Sequence, residues 1–76
     1  MTYTVAKKNL GSARTYSTIG RLASAIMKAG ALEVDVHHER GNSHVRVQWP
    51  EGAVTYPMDA DGNVDQQLAW DMETTP

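Results

Sequence analysis

The sequence predicts an α+β domain in which one helix packs on the apolar face of a three-stranded antiparallel β-meander and a short C-terminal helix follows (α-β-β-β-α). Three observations lead to this fold class. Apolar residues recur at helical spacing within residues 17–29, apolar and polar residues alternate in three later runs, and turn sequences separate those runs. A chain of 76 residues suffices for one small core, so residues 1–76 are taken as a single domain.

The first helix is predicted over residues 17–29. Its apolar residues share one helical face, and they are Ile19, Leu22, Ala23, Ile26 and Met27. Ser17 is the expected N-cap, with Ser12 as the alternative, and Gly30 suits the left-handed position after the last helical residue. We therefore expect this apolar face to be buried against the sheet.

Three strands are predicted where apolar and polar residues alternate, at residues 32–39, 44–49 and 53–58. Glycine-containing turn sequences join neighbouring strands as hairpins, so the sheet is expected to be an antiparallel meander. Its apolar residues then lie on one face, with Val36 opposite Val47. Trp49 and Tyr56 are expected to be buried on the same face.

The two ends of the chain are predicted separately. A second helix is expected near residues 64–72, because Val64, Leu68 and Met72 recur every four positions. Residues 1–12 are expected either to be mobile or to add an edge strand at Tyr3–Ala6. Residues 73–76 are expected to form a disordered tail.

Composition excludes several kinds of site. The chain has no Cys, which rules out disulfides, thiolate zinc sites and a Cys nucleophile. No cofactor or metal is expected, because the adjacent residues His37 and His38 point to opposite faces of a strand and cannot share an ion. No apolar run reaches the length of a membrane span, and the N-terminus lacks the hydrophobic stretch of a signal peptide, so we expect a cytoplasmic location.

Charge is distributed unevenly along the chain. Residues 1–32 contain five basic and no acidic residues, whereas residues 33–76 contain nine acidic and two basic residues. This asymmetry indicates either surfaces for a polyanion or a charged partner, or two halves that neutralise each other in the folded chain.

The polar face of the predicted sheet carries the main candidate site. A turn at Gly41-Asn42 places His44 opposite Glu39, and the second hairpin places Asp59 on the other side of His44. A histidine flanked by carboxylates can be held in one tautomer and can act as a general acid or base. The alternative is an ordinary ladder of charged pairs on a hydrated sheet face.

Several short motifs follow one another in a recognisable order. They are Lys28-Ala29-Gly30 at the helix end, Gly41-Asn42-Ser43-His44 before the second strand, Pro50 after it, and Val54-Thr55-Tyr56-Pro57 in the third strand. Over roughly residues 16–72, the order of these motifs resembles that of the HicA toxin family. The members of this family are small ribonucleases with a double-stranded-RNA-binding-like fold. The resemblance implies RNA as the substrate, a cognate antitoxin as the partner and His44 as the catalytic residue.

Two functions are open at this point. The first is a HicA-like ribonuclease in which His44 acts as general acid or base and is oriented by Glu39 or Asp59. Its phosphate-binding residues would be Arg14, Arg21, Lys28, Arg40 and Arg46. The second is a non-catalytic binding module, such as a phage or plasmid inhibitor of a host nucleic-acid-processing factor. A positive surface around His44 favours the ribonuclease, and a negative surface favours the inhibitor.

Overall fold

A computed structural model describes residues 2–6, 13–39 and 41–74 of the chain. In chain order, its elements are β1 (Tyr3–Ala6), β2 (Ala13–Tyr16), α1 (Ile19–Lys28), β3 (Glu33–Glu39), β4 (Asn42–Trp49), β5 (Gly52–Pro57), β6 (Asn63–Val64) and α2 (Gln66–Thr74). The predicted α+β class is confirmed. Neither helix found in these residues has the length and apolar character needed to cross a membrane.

The predicted meander is present as the sheet β3-β4-β5, whose neighbouring strands are antiparallel. Along β4, Val45, Val47 and Trp49 are buried, while the residues between them point to the other face. The residues of the apolar core are Tyr3, Val5, Leu22, Ile26, Ala31, Val45, Val47, Trp49, Tyr56, Met58, Val64, Leu68 and Ala69. The expected burial of Trp49 and Tyr56 is therefore confirmed. On the helix face, Leu22 and Ile26 are buried as expected, whereas Ile19 and Met27 are exposed, so that part of the prediction is wrong.

The register of both hairpins differs from the predicted register by two residues. Val36 lies opposite Val45, and Val45 lies opposite Tyr56 on the other side. The prediction that Val36 and Val47 face each other is wrong. The same side chains still face the core, because a shift of two residues keeps every side chain on its original face.

The residues of the two turns explain this shift. In the first hairpin Glu39 pairs with Asn42, and Gly41 directly before β4 has a φ of 78°, a left-handed conformation that favours glycine. In the second hairpin Trp49 pairs with Gly52. Pro50 is thus the second and Gly52 the fourth residue of the four-residue turn. Type I turns favour proline and glycine at these two positions.

Helix α1 begins slightly later than the sequence predicted. Its N-cap is Thr18, whose hydroxyl accepts a hydrogen bond from the backbone N–H of Arg21 at 3.1 Å. The predicted caps Ser17 and Ser12 are therefore wrong. The C-terminal end agrees with the prediction, because Gly30 has a φ of 117° and follows the last turn. Helix α1 packs against β3 and β2.

A second sheet, in the order β2-β1-β6, was not predicted. The segment Tyr3–Ala6, where an edge strand was one alternative, forms its middle strand, antiparallel to β2 and parallel to β6. Residues 7–12 lie outside the described residues, as do 75–76. Glu73 belongs to α2, which corrects the prediction that the tail begins there.

A chain of hydrogen bonds joins α2 to the meander. The indole Nε1 of Trp49 donates to the hydroxyl of Tyr56 at 2.6 Å, and that hydroxyl donates to Oδ2 of Asp71 at 2.5 Å. Gln67 donates to the other oxygen of Asp71 at 2.9 Å. Tyr56 is 1% exposed, and its burial beside the Asp71 carboxylate raises the pKa of its phenol.

Tyr56→Phe is expected to lower the free energy of unfolding by about 1–3 kcal/mol, because it leaves the buried indole N–H of Trp49 and the half-buried carboxylate of Asp71 without their shared partner. A raised phenol pKa adds stability that is present below the ordinary pKa of 10.0 and is lost at higher pH. The difference between wild type and Tyr56→Phe should therefore shrink above pH 10. Urea denaturation at pH 7 and above pH 10 measures both effects. Tyr16→Phe is the control, since no described residue bonds its hydroxyl, and an equal loss there would contradict this role.

Gly62 lies at the junction between β1 and β6. Its carbonyl accepts a hydrogen bond from the N–H of Thr4 at 2.9 Å, and its φ is 88°. A Cβ atom at this position would collide with the backbone carbonyl of Thr2. Gly41 also has a positive φ, but a Cβ there meets no described atom.

Gly62→Ala is therefore expected to destabilise the protein more than Gly41→Ala does. Both variants carry left-handed strain of about 1–2 kcal/mol, and the clash adds about 1–3 kcal/mol in Gly62→Ala alone. Urea denaturation of the two variants gives the difference. Equal losses would show that Thr2 does not pack against Gly62 in solution.

Candidate functional site

The outward face of the β3-β4-β5 sheet carries the predicted site, and we call it the open face. Its residues are Glu33, Asp35, His37, Glu39, Asn42, His44, Arg46, Gln48, Ala53, Thr55 and Pro57. The four charged side chains among them are exposed, and the two histidines are half-buried. The predicted position of His44, on the middle strand and pointing away from the core, agrees with the structure.

His44 lies next to a second histidine. His37 is its direct partner on β3, with ring centroids 5.1 Å apart and an angle of 21° between the ring planes. Nε2 of His37 lies 3.3 Å from Oε2 of Glu39. The prediction that Glu39 lies opposite His44 is wrong, because the shifted register moves Glu39 to the end of the hairpin. Glu39 thus contacts His37, and His37 stacks on His44.

Asp59 organises a turn beyond the end of β5. Its Oδ1 accepts hydrogen bonds from the backbone N–H groups of Asp61 and Asn63, each at 2.9 Å, and its Oδ2 accepts one from the amide of Asn63 at 2.9 Å. The hydrogen bonds from Asn63 lower the pKa of the Asp59 carboxyl. The prediction that Asp59 flanks His44 is wrong, since Pro57 occupies that position.

The predicted phosphate-binding residues lie on two sides of the sheet. Arg46 is on the open face, and Arg40 lies outside the described residues. The others are Arg14 in β2 and Arg21 and Lys28 in α1. All three are exposed. Helix α1 packs against β2 and against the core-facing side of β3, and Arg14 lies near Lys28 on that side. The β3-β4-β5 sheet therefore separates these three cations from His44. The structure therefore does not bring the basic helix and the histidines into one site.

The open face carries a negative charge. Its described side chains include the carboxylates of Glu33, Asp35 and Glu39 and one permanent cation, Arg46. Asp35 lies opposite Arg46, yet no ion pair joins them in the described part of the chain. Together with Glu33 and Gln48, they line a shallow depression of about 230 Å³.

Comparisons of the chain with protein families, with curated proteins and with solved structures find no match. The resemblance to the HicA family therefore stays a prediction. The functional argument depends on the geometry and charge of the site itself.

Sequence reasoning missed the partnership of His37 and His44. The observed register places Asp35 opposite Arg46 and His37 opposite His44. The preference for glycine at the second position of the turn was the available signal, because a turn that ends at Gly41 brings the two histidines together.

Proposed function

We propose that the chain is a non-catalytic binding module that uses its open face to bind a basic surface of a partner protein. The observation that carries this proposal is the charge of the open face, which has three exposed carboxylates on β3 and one permanent cation, Arg46, among its described residues. Exposed carboxylates in this arrangement attract lysine and arginine side chains and repel phosphates.

The depression beside β3 supports the same partner chemistry. Glu33 and Asp35 lie two residues apart on one strand, so both carboxylates face the same side. A cationic side chain of the partner can lie between them, while Arg46 on the neighbouring strand disfavours a second cation at that point. Proteins that bind nucleic acid present basic surfaces to its phosphates. The favoured partner is therefore a nucleic-acid-processing factor.

This proposal predicts weaker binding of a basic probe by Glu33→Gln/Asp35→Asn. A fluorescein-labelled lysine-rich peptide serves as the probe, and its anisotropy gives the affinity. Removing both carboxylates should weaken binding at least about threefold, as expected for the loss of two exposed ion pairs. Added salt should weaken wild-type binding as well.

Asp61→Asn/Asp65→Asn is the matched control, since it removes the same charge from outside β3, β4 and β5. It should bind the peptide more tightly than the open-face variant does. Equal losses in the two double variants would show that net charge alone attracts the peptide, which contradicts a specific docking face.

The stacked histidines favour a second candidate, a HicA-like ribonuclease. In such an enzyme one of His37 and His44 accepts the proton of the 2′-hydroxyl, whose oxygen attacks the phosphorus. The other donates a proton to the departing 5′-oxygen, and the product is a cyclic phosphate. Glu39 orients His37 in this scheme, and Arg46 contacts the phosphate.

The ribonuclease candidate predicts that His44→Ala abolishes cleavage of labelled single-stranded RNA and growth arrest on expression. The free energy of unfolding should fall by only about 0.2–1 kcal/mol, the value of one cross-strand pair. Thr55→Ala, on the same face but without a titratable group, should keep full activity. A wild-type protein that neither cleaves RNA nor slows growth would eliminate the enzyme and leave the binding module.

A further inference from the structure

A groove lies between the two helices, on the side of the molecule away from the open face. Its volume is about 360 Å³, at the lower end for small-molecule sites. Ala25 of α1 and the C-cap residue Ala29 line one wall, and Ala69 and Met72 of α2 line the other. The short alanine side chains leave the space open between the helices.

The strands β1 and β2 contribute the floor of the groove. Val5 and Arg14 are direct cross-strand partners, so their side chains lie on the same face of the hairpin. Tyr16 follows two residues after Arg14 and shares that face. Val5 is only 3% exposed, which makes the floor apolar, while Arg14 is exposed at the margin.

Two cations border this apolar floor. Arg14 from β2 and Lys28 from α1 both line the groove, and no described carboxylate lies within ion-pair distance of either. Glu73 is also at the rim, but it has an interaction partner of its own. The negative end of the α1 dipole, equivalent to about half a charge, offsets only part of the two positive charges.

We propose that this groove binds a small amphipathic organic anion, with an apolar body between the helices and a carboxylate between Arg14 and Lys28. The volume accommodates a medium-length aliphatic chain, and the alanine and methionine walls provide apolar contacts for it. The guanidinium of Arg14 and the ammonium group of Lys28, both in the lining of this groove, suit a carboxylate through charge-assisted hydrogen bonds.

The test is a titration of the protein with three probes. Amide chemical shifts and calorimetry measure the binding of each probe. Decanoate carries both the apolar body and the charge, decanol carries the body alone, and inorganic phosphate carries a charge alone. Decanoate, kept below its micellar concentration, should bind saturably to one site and shift the amides around Tyr16, Ala29 and Met72. Decanol and phosphate should each bind at least about tenfold more weakly.

Two variants locate the site. Arg14→Gln/Lys28→Gln removes both cations and should weaken decanoate binding at least about tenfold, the effect of losing charged hydrogen bonds. The matched control Arg21→Gln/Arg46→Gln removes the same charge from residues outside the groove and should bind like wild type. All four residues are exposed, so both double variants are expected to fold.

Ala25→Leu fills the groove without changing the charge and should also prevent binding. The proposal is overturned if decanoate shows no saturable shifts, if decanol or phosphate binds as tightly at the same residues, or if the two double variants lose affinity equally. Should Ala25→Leu fail to fold, the two charge variants still decide the outcome.

Discussion

The alternation of side chains along β4 is the constraint on which the rest of the structure depends. Val45 and Val47 point into the core, where residues of both helices join the same apolar cluster. His44 and Arg46 point to the opposite face of the sheet. The basic residues of α1 are thereby kept on the opposite side of the sheet from the histidines. The uneven charge of the chain becomes two separate surfaces, one acidic and flat and one basic and concave.

Sequence periodicity predicted the meander, the helix that covers it and the burial of Trp49 and Tyr56. It could not determine the register, because pairings that differ by two residues bury the same side chains. Only the turns distinguish such pairings, through the positions of Gly41 and Pro50. The strands β1, β2 and β6 have at most four residues each, too few for an alternating pattern to be distinctive.

In the candidate site, too, features set within one strand could be predicted, and features set by the pairing of strands could not. The outward direction of His44 depends only on alternation within its own strand, and it was predicted. Its neighbours depend on register, so the carboxylates expected beside it were replaced by His37 and Pro57. The groove between the helices could not be predicted, since it depends on how α1 and α2 lie on a sheet that the sequence did not reveal.

The parallel pairing of β1 with β6 has a consequence for the order in which the chain folds. Val5 pairs with Val64, so β1 acquires this partner only after the chain up to β6 has been synthesised. The α1 helix and the two hairpins of the meander involve much closer neighbours along the chain and form without that delay. One edge of β1 therefore stays unpaired in the growing chain until β6 has been synthesised.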